Sequence, residues 1–181
     1  MKLPNFVTPN SVTIARIILI PFGVYALFIN GGNDYNWQII SWWIFFVLGL
    51  TDILDGKLAR SSNQITELGK FLDPVADKLL IGSAMISLSI LGRFPWWITV
   101  VILAREIGIT IFRLSVAKNG VIPANRGGKV KAFFQNFGVG FFMLPLSPSL
   151  YWFRDGFMGI AILLTVVTGV YYIQSALSRK S

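Results

Sequence analysis

Long apolar stretches separated by short polar turns run through the whole chain. A helix that crosses a bilayer needs roughly 20 mostly apolar residues. The chain offers six stretches near that length: residues 11–30, 37–55, 75–91, 95–116, 132–146 and 156–176. The segments between them are rich in Gly, Asn, Ser and Pro, which is typical of turns. The pattern predicts an all-α fold, an integral membrane bundle of six transmembrane helices in a single domain, residues 1–181.

Lys and Arg are distributed unevenly among the segments that connect these stretches. In short loops such residues concentrate on the cytoplasmic side of a membrane. With six spans, one side holds Lys2, Lys57, Arg60, Lys70, Lys118, Arg126, Lys129, Lys131, Arg179 and Lys180. The opposite side holds only Arg93 and Arg154. We therefore expect both termini to be cytoplasmic, with most tryptophans in a belt near the outer boundary.

The composition of the chain excludes several kinds of catalytic and metal site. The chain is 54% hydrophobic and 13% charged, and it contains no cysteine and no histidine. That composition excludes Cys/His zinc sites, imidazole bases, acyl-transfer triads and phosphatidyl transfer through a histidine intermediate. The formal charge of +8 is more typical of topology signals and contacts with anionic lipids than of nucleic-acid binding. We expect membrane lipids as partners and no nucleic acid.

Half of the eight acidic residues are aspartates that recur at regular spacing. The pattern is Asp52-x2-Asp55-Gly56-x2-Ala59-Arg60-x8-Gly69-x3-Asp73-x3-Asp77. Because helical neighbours recur at i+3 and i+4, the first five positions share one face at the cytoplasmic end of the second span. The last three share a face that enters the third span. Acidic residues at the edge of hydrocarbon are costly, so the cluster indicates a functional site.

Four converging carboxylates would raise one another's pKa unless cations stood between them. With only oxygen ligands available, the suitable ions are Mg²⁺, Mn²⁺ and Ca²⁺. Two such ions could clamp the attacking and leaving oxygens of a phosphoryl displacement. The small residues Gly56, Ala59 and Gly69 would admit a nucleotide, although each alone is equally typical of close helix packing in a membrane.

The aspartate pattern resembles the signature of the CDP-alcohol phosphotransferase family at all eight positions. Members are six-helix membrane enzymes, usually homodimers, that transfer a phosphatidyl or similar group from a CDP-linked donor to an alcohol and release CMP. The resemblance implies two divalent ions, Mg²⁺ or Mn²⁺, and makes Asp77 the general base as well as a metal ligand. The implied metal ligands are Asp52, Asp55, Asp73 and Asp77, and the implied contacts of the CDP group are Gly56, Ala59, Arg60, Gly69 and Thr66.

Several charged residues outside this pattern suggest where an acceptor alcohol binds. Arg105 and Glu106 lie inside the fourth predicted span, and Arg113 follows two turns later. Lys129 and Lys131 approach from the cytoplasmic side. Because such residues are costly in mid-span, they predict a basic pocket for an acceptor that carries a phosphate, with Glu106 orienting an arginine. For the two lysines, topology anchoring or lipid contact is an equally good interpretation.

Four further stretches resemble the phosphatidylglycerophosphate synthase branch of the family: residues 9–16, 69–80, 104–106 and 128–131. This resemblance implies a bacterial plasma-membrane enzyme, with CDP-diacylglycerol as donor and sn-glycerol 3-phosphate as acceptor. It places Asn10 and Thr13 near the donor and Arg16 near the acceptor phosphate. Alternatively, Asn10 and Thr13 cap the first helix and Arg16 anchors it.

Two other functions stay open on the sequence. The same family includes enzymes with other acceptors, such as phosphatidylglycerol for cardiolipin synthesis or inositol phosphate. Acidic residues within membrane spans also mark cation or proton transporters. Transporters often contain repeated halves with matching polar breaks, and the sequence has no such symmetry.

Overall fold

The computed structural model describes residues 9–61, 67–116 and 126–177. Side chains are described for residues 10–51, 69, 72–112, 128–171 and 174. Six α-helices occupy these ranges: α1 Pro9–Phe28, α2 Tyr35–Ser61, α3 Glu67–Ile90, α4 Trp96–Val116, α5 Arg126–Met143 and α6 Tyr151–Leu177. Short 3₁₀ turns lie at Ile29–Gly32 and Pro148–Leu150. The described residues form no strand, so the prediction of an all-α fold is confirmed for them.

Three helices extend well beyond the predicted spans into polar sequence. α2 continues to Ser61 instead of ending at residue 55, α3 begins at Glu67 instead of 75, and α5 begins at Arg126 instead of 132. Hydrophobicity marks where lipid ends, whereas a helix continues as long as its backbone bonds form. The whole described part of the aspartate pattern is therefore helical.

The connection between α1 and α2 is a tight turn with left-handed backbone. Asn30 and Gly31 have φ values of 52° and 65°. Asp34 then caps α2, because its Oδ1 accepts hydrogen bonds from the backbone N–H groups of Asn36 at 3.0 Å and Trp37 at 3.1 Å. The bond from Trp37 is the main cause that lowers the pKa of Asp34. The turn predicted between the first two apolar stretches is confirmed.

The helices group into two compact units, and the first contains α1, α2 and α3. α1 approaches α2 closely at Gly23, where an added Cβ would lie 2.9 Å from the ring of Phe45. Ser41 Oγ donates a hydrogen bond to the carbonyl oxygen of Gly23 at 2.9 Å. Leu27 and Met85 are fully buried in the core of this unit. A small residue thus lets two helix backbones approach, as is common in membrane proteins.

The second unit contains α4, most of α5 and α6. Its α5 and α6 pack through phenylalanine rings, with ring centroids 4.7 Å apart for Phe134 and Phe157 and 5.2 Å apart for Phe141 and Phe157. Distances in this range are typical of favourable aromatic pairs. Aromatic side chains therefore hold α5 and α6 together in the second unit, whereas in the first unit α1 and α2 are held by a close approach of their backbones.

Two helical segments in the described ranges are long and apolar enough to cross a membrane, Asn10–Gly32 and Pro148–Tyr171. Large apolar side chains also lie on the surface of both units; Phe22 is 61% exposed and Leu163 is 63% exposed. Apolar surface on this scale marks contact with lipid or with another protein. These features suit a membrane protein. The six-span arrangement, the orientation of the termini and the single domain stay predictions.

Candidate active site

The aspartates of the sequence pattern are carried by two helices of the first unit. Asp52 and Asp55 lie on α2, and Asp73 and Asp77 lie one turn apart on α3. The side chains of Asp52 and Asp55 are outside the described residues. Asp73 is half-buried and Asp77 is exposed. The helical spacing predicted for each pair is confirmed, whereas the convergence of all four carboxylates stays a prediction.

Asp73 is tied to α1 by a hydrogen bond between helices. Thr13 Oγ1 donates to Asp73 Oδ1 at 2.8 Å, and the Thr13 side chain is buried. Thr13 lies inside α1, so its hydroxyl does not cap that helix. The hydrogen bond engages one oxygen of the Asp73 carboxylate and so orients the second oxygen. Thr13 therefore helps to position a carboxylate of the pattern, a contact that sequence spacing alone could not give.

Most of the other predicted residues of the first unit lie on the same three helices. Arg16 lies one turn after Thr13 on α1 and is 1% exposed. An arginine that anchors a helix at the membrane surface keeps its head in water, so the burial of Arg16 contradicts that alternative. Gly69 is buried at the start of α3, and Asn10 is half-buried in the first turn of α1. Gly56, Ala59 and Arg60 follow Asp55 on α2, but the side chain of Arg60 and all of Thr66 lie outside the described residues.

The donor set of the first unit suits a hard divalent cation. Asp73 and Asp77 offer carboxylate oxygens at the spacing of one helical turn, and oxygen is the ligand atom that Mg²⁺ and Mn²⁺ prefer. Among the side chains that the structure describes, no three potential ligands come together. Asp52 and Asp55 would supply the remaining carboxylates, and their side chains are not among those described.

A second polar cluster lies inside the second unit. Glu106 Oε1 on α4 accepts a hydrogen bond from Arg105 Nη1 at 2.8 Å and also pairs with Lys131 Nζ on α5. The Lys131 side chain is 6% exposed, and that of Glu106 is 22% exposed. Two cations thus share one carboxylate, which leaves a net positive charge in a largely buried place. The prediction that Glu106 orients an arginine is confirmed, and it holds a lysine as well.

Three residues that the sequence analysis missed complete this cluster. Thr168 on α6 accepts a hydrogen bond from Arg105 Nη2 at 3.0 Å, and its own hydroxyl donates to the carbonyl oxygen of Leu164. Gly169 leaves room for the Arg105 side chain, whose Cγ would lie 3.7 Å from an added Cβ. Gln135 is buried one turn after Lys131. The available signal was Lys131-x3-Gln135, which places two polar residues on one face of an apolar helix.

Two buried polar atoms of this cluster have no hydrogen-bond partner within the described part of the chain: Arg105 Nε and Gln135 Oε1. Buried polar groups almost always have a partner. An Arg Nε is a donor, so its missing partner would be an acceptor such as a phosphate oxygen. The cluster has the charge and the donor of an anion-binding site.

The remaining basic residues behave differently from one another. Lys129 is exposed, whereas Lys131 is buried against Glu106. Anchoring at the membrane surface therefore suits Lys129 and does not suit Lys131. Arg113 lies near the end of α4, but its side chain is outside the described residues.

Comparison with known proteins places the chain in one family. The model of the CDP-alcohol phosphatidyltransferase family matches residues 6–171. A probable phosphatidylglycerophosphate synthase of Mycobacterium tuberculosis is 49% identical over 168 residues, which cover 93% of this chain and 80% of that protein. A CDP-diacylglycerol–glycerol-3-phosphate 3-phosphatidyltransferase of Bacillus subtilis is 34% identical, covering 92% of this chain and 93% of that protein.

A solved structure has the same fold. The crystal structure of Mycobacterium tuberculosis phosphatidylinositol phosphate synthase with CDP-DAG bound matches with a TM-score of 0.67 at 21% identity, over 93% of this chain and 86% of that one. The fold, the family match across most of the chain and the aspartate pattern agree. This protein is a member of the CDP-alcohol phosphatidyltransferase family, and it is an enzyme of the phosphatidylglycerophosphate synthase type.

Proposed function

We propose that this enzyme transfers the phosphatidyl group of CDP-diacylglycerol to sn-glycerol 3-phosphate, giving phosphatidylglycerophosphate and CMP. The observation that carries the proposal is the helical Asp73 and Asp77 pair, with Asp73 held by Thr13 across two helices. It is supported by the Bacillus subtilis relative, whose name states both substrates. The structural neighbour was solved with CDP-DAG bound, which supports the same donor.

The first unit carries the chemistry of the transfer. The Asp77 carboxylate takes the proton of the C1 hydroxyl of glycerol 3-phosphate, as a general base does. The freed oxygen attacks the β-phosphorus in line, a new phosphorus–oxygen bond forms, and the bond to CMP breaks. Thr13 keeps Asp73 in place during this step through its bond to Oδ1. Asp77 suits the role because it is exposed at one helical turn from Asp73.

Two divalent ions, Mg²⁺ or Mn²⁺, complete the site under this proposal. Asp52, Asp55, Asp73 and Asp77 would hold them, and when bound they neutralise charge on the phosphate oxygens. Gly56, Ala59 and Gly69 would then leave space for the CDP group. Asn10, Arg60 and Thr66 would contact its polar groups.

The second unit carries recognition of the acceptor. Arg105 and Lys131 share Glu106, so the cluster keeps one net positive charge to pair with the acceptor phosphate. The buried Nε of Arg105 would donate to a phosphate oxygen and gain the partner that it lacks among the described residues. Arg16, Arg113 and Lys129 are further proposed contacts of that phosphate.

The proposed setting is the plasma membrane of a bacterium, with the aspartates facing the cytoplasm and two copies forming a homodimer. The uneven distribution of Lys and Arg supports the orientation. Accessibility of single cysteines can test it, because the natural chain has no cysteine. Ser181→Cys should react with an impermeant reagent only after the membrane of intact cells is opened.

The activity is tested with purified enzyme in mixed micelles that contain CDP-diacylglycerol, Mg²⁺ or Mn²⁺ and labelled glycerol 3-phosphate. We expect a labelled lipid that depends on the donor, together with one CMP per lipid. Phosphatidylglycerol and inositol phosphate serve as competing acceptors. Product from one of these and none from glycerol 3-phosphate would reject the proposed acceptor and keep the family chemistry. Ion flux in liposomes without CDP-lipid would support the transporter instead.

A further inference from the structure

A cavity of about 530 Å³ opens in the second unit where α4 and α6 begin. Its lining includes Arg93, Phe94, Phe142, Arg154 and Met158. On α4 the lining of the cavity ends at Ile98, eight residues before Glu106, and an α-helix rises 1.5 Å per residue. The cavity therefore lies about 12 Å along α4 from Glu106 and is a different site.

Two arginines give this cavity its charge. Arg93 and Arg154 are the two basic residues that the sequence places on the outer side, against the general bias of such loops. Both line the same cavity. Burial is the main cause that lowers the pKa of Arg93; Tyr151 opposes this effect and the charge of Arg154 adds to it. The two guanidinium groups are therefore within electrostatic range of each other, and Arg remains charged at any ordinary pH.

Arg154 is held in one orientation. Its guanidinium carbon lies 4.2 Å from the ring centre of Phe142 and 4.1 Å from that of Tyr151. Nε donates to Asp155 Oδ1 at 2.8 Å, and within the described part of the chain the terminal nitrogens of Arg154 have no hydrogen bond. A fixed guanidinium with free terminal donors is suited to bind phosphate through two hydrogen bonds.

The walls of the cavity suit a lipid better than a soluble ion. Phe94, Phe142 and Met158 are buried apolar residues that line it, and Trp97 is 60% exposed beside it. Aromatic side chains of this kind are typical of the depth at which lipid headgroups lie. The first turns of α4 and α6 both border the cavity, and helix N-termini favour negative charge.

We propose that this cavity binds the phosphodiester headgroup of an anionic phospholipid, with Arg93 and Arg154 on the phosphate and the apolar wall against the glycerol and upper acyl chain. Asp155 is the carboxylate that competes with the lipid for Arg154. Gly159 lines the cavity and faces open space, since an added Cβ there would meet nothing within 4 Å.

The test is native mass spectrometry of the purified enzyme in detergent, titrated separately with phosphatidylglycerol, phosphatidylcholine and inorganic phosphate. We expect phosphatidylglycerol to bind about tenfold or more tightly than phosphatidylcholine, because both lipids carry the phosphate but the two arginines would repel the choline cation of phosphatidylcholine. Arg154→Gln should remove most of that preference, and Asp155→Asn should increase it. Gly159→Leu should weaken binding by filling the cavity without changing charge, which keeps the test decisive if Arg154→Gln misfolds.

Lys180→Gln is the control variant. It removes a positive charge near the C-terminus and should bind as the natural chain does.

Three results would overturn the proposal. Equal binding of phosphatidylglycerol and phosphatidylcholine would show that the cavity does not recognise an anionic headgroup. An unchanged preference in both Arg154→Gln and Gly159→Leu would place the lipid elsewhere. Displacement of phosphatidylglycerol by millimolar inorganic phosphate would make a soluble anion the ligand of this cavity.

Discussion

The two compact units handle charge in opposite ways. In the first, Asp73 accepts a hydrogen bond from a neutral hydroxyl, that of Thr13. In the second, the half-buried carboxylate of Glu106 pairs with two cations of its own unit, Arg105 and Lys131. A carboxylate bound by a hydroxyl keeps its negative charge available to an external cation. A carboxylate shared by two cations has none left to offer, and the surplus charge around it is positive.

Under the proposed function, this difference gives the two units different tasks. The first is suited to hold metal ions and to act on the reacting atoms, and the second is suited to hold an anion without reacting with it. Removing a group from the first should change kcat, whereas removing one from the second should change KM or stability. The predictions below test that division, beginning with the largest effect.

Asp77→Asn should lower kcat by about 100- to 10,000-fold, the range expected when a general base is lost. Initial rates of CDP-diacylglycerol-dependent lipid formation measure it. Asp34→Asn is the matched control, because it makes the same chemical change at an aspartate outside the proposed site and should keep full activity. Full activity of Asp77→Asn would remove Asp77 as the base while leaving its role as a metal ligand open.

Glu106→Gln should destabilise the protein by about 3–5 kcal/mol, as expected when one partner of a buried ion pair is removed. Lys131, which is buried, then loses the Glu106 carboxylate as a partner. Thermal unfolding in detergent measures the effect. The double variant Glu106→Gln/Lys131→Met should recover a large part of the loss, because the buried lysine that lost this carboxylate is gone as well. Additive losses in the double variant would mean that the pair does not act as a unit.

Arg105→Gln should raise the KM for glycerol 3-phosphate by about 10- to 100-fold, the value of a hydrogen bond to a charged group. The value of kcat should change much less, since the residue acts in binding. Steady-state kinetics with varied acceptor separate the two constants. Lys129→Gln, at an exposed position, should have a smaller effect, and an equal effect would reject the distinction between exposed and buried basic residues.

Gly23→Ala and Gly169→Ala should differ although the chemical change is the same. At Gly23 the new methyl group would meet the Phe45 ring at 2.9 Å, which we expect to cost about 1–3 kcal/mol as overpacking does. At Gly169 the nearest side-chain atoms of Arg105 lie at an ordinary 3.7 Å. Thermal unfolding of the two variants compares them. Equal stability would mean that α1 and α2 separate easily at Gly23.

The smallest effect concerns Asp34, the cap of α2. In the folded protein the pKa of Asp34 lies below its ordinary value of 3.8. The ionised cap therefore contributes its full stability above pH 3.8. The contribution is lost as the pH falls through the lowered value. Unfolding temperatures between pH 5 and pH 3 should therefore decline slightly more for the natural chain than for Asp34→Asn, whose amide oxygen can cap without ionising. Identical slopes would remove the cap as a source of pH dependence.

Much of the fold could be predicted because lipid imposes a simple rule on helices. Every backbone polar group in a bilayer needs a partner within the chain, so long apolar stretches become helices. Helix ends were less predictable, since residues such as Arg126 and Glu67 lie beyond the apolar part and still continue the helix. The polarity of these side chains indicates where the chain leaves the hydrocarbon layer, but it does not indicate where the helical backbone ends.

The candidate site was predictable where spacing along one helix decides the contact. Asp73 and Asp77 are one turn apart by their numbers alone. Contacts between helices, such as Thr13 to Asp73 and Arg105 to Thr168, depend on the rotation and height at which helices pack. The rotation and height of each helix are determined by all the side chains that pack in the unit, so spacing along one helix does not predict them. For the same reason Lys129 and Lys131 could not be told apart before the burial of Lys131 was known.

The length of α2 has a consequence for how the products leave. Its 27 residues span about 40 Å, whereas the hydrocarbon layer of a bilayer is about 30 Å thick. An α2 that enters the bilayer at Tyr35 would therefore leave the hydrocarbon near Asp55 and carry its last turns into water. A nucleotide held there would never have to dissolve in lipid. CMP would diffuse away into the aqueous phase while the new lipid stays in the membrane, so the two products would separate without any further motion of the protein.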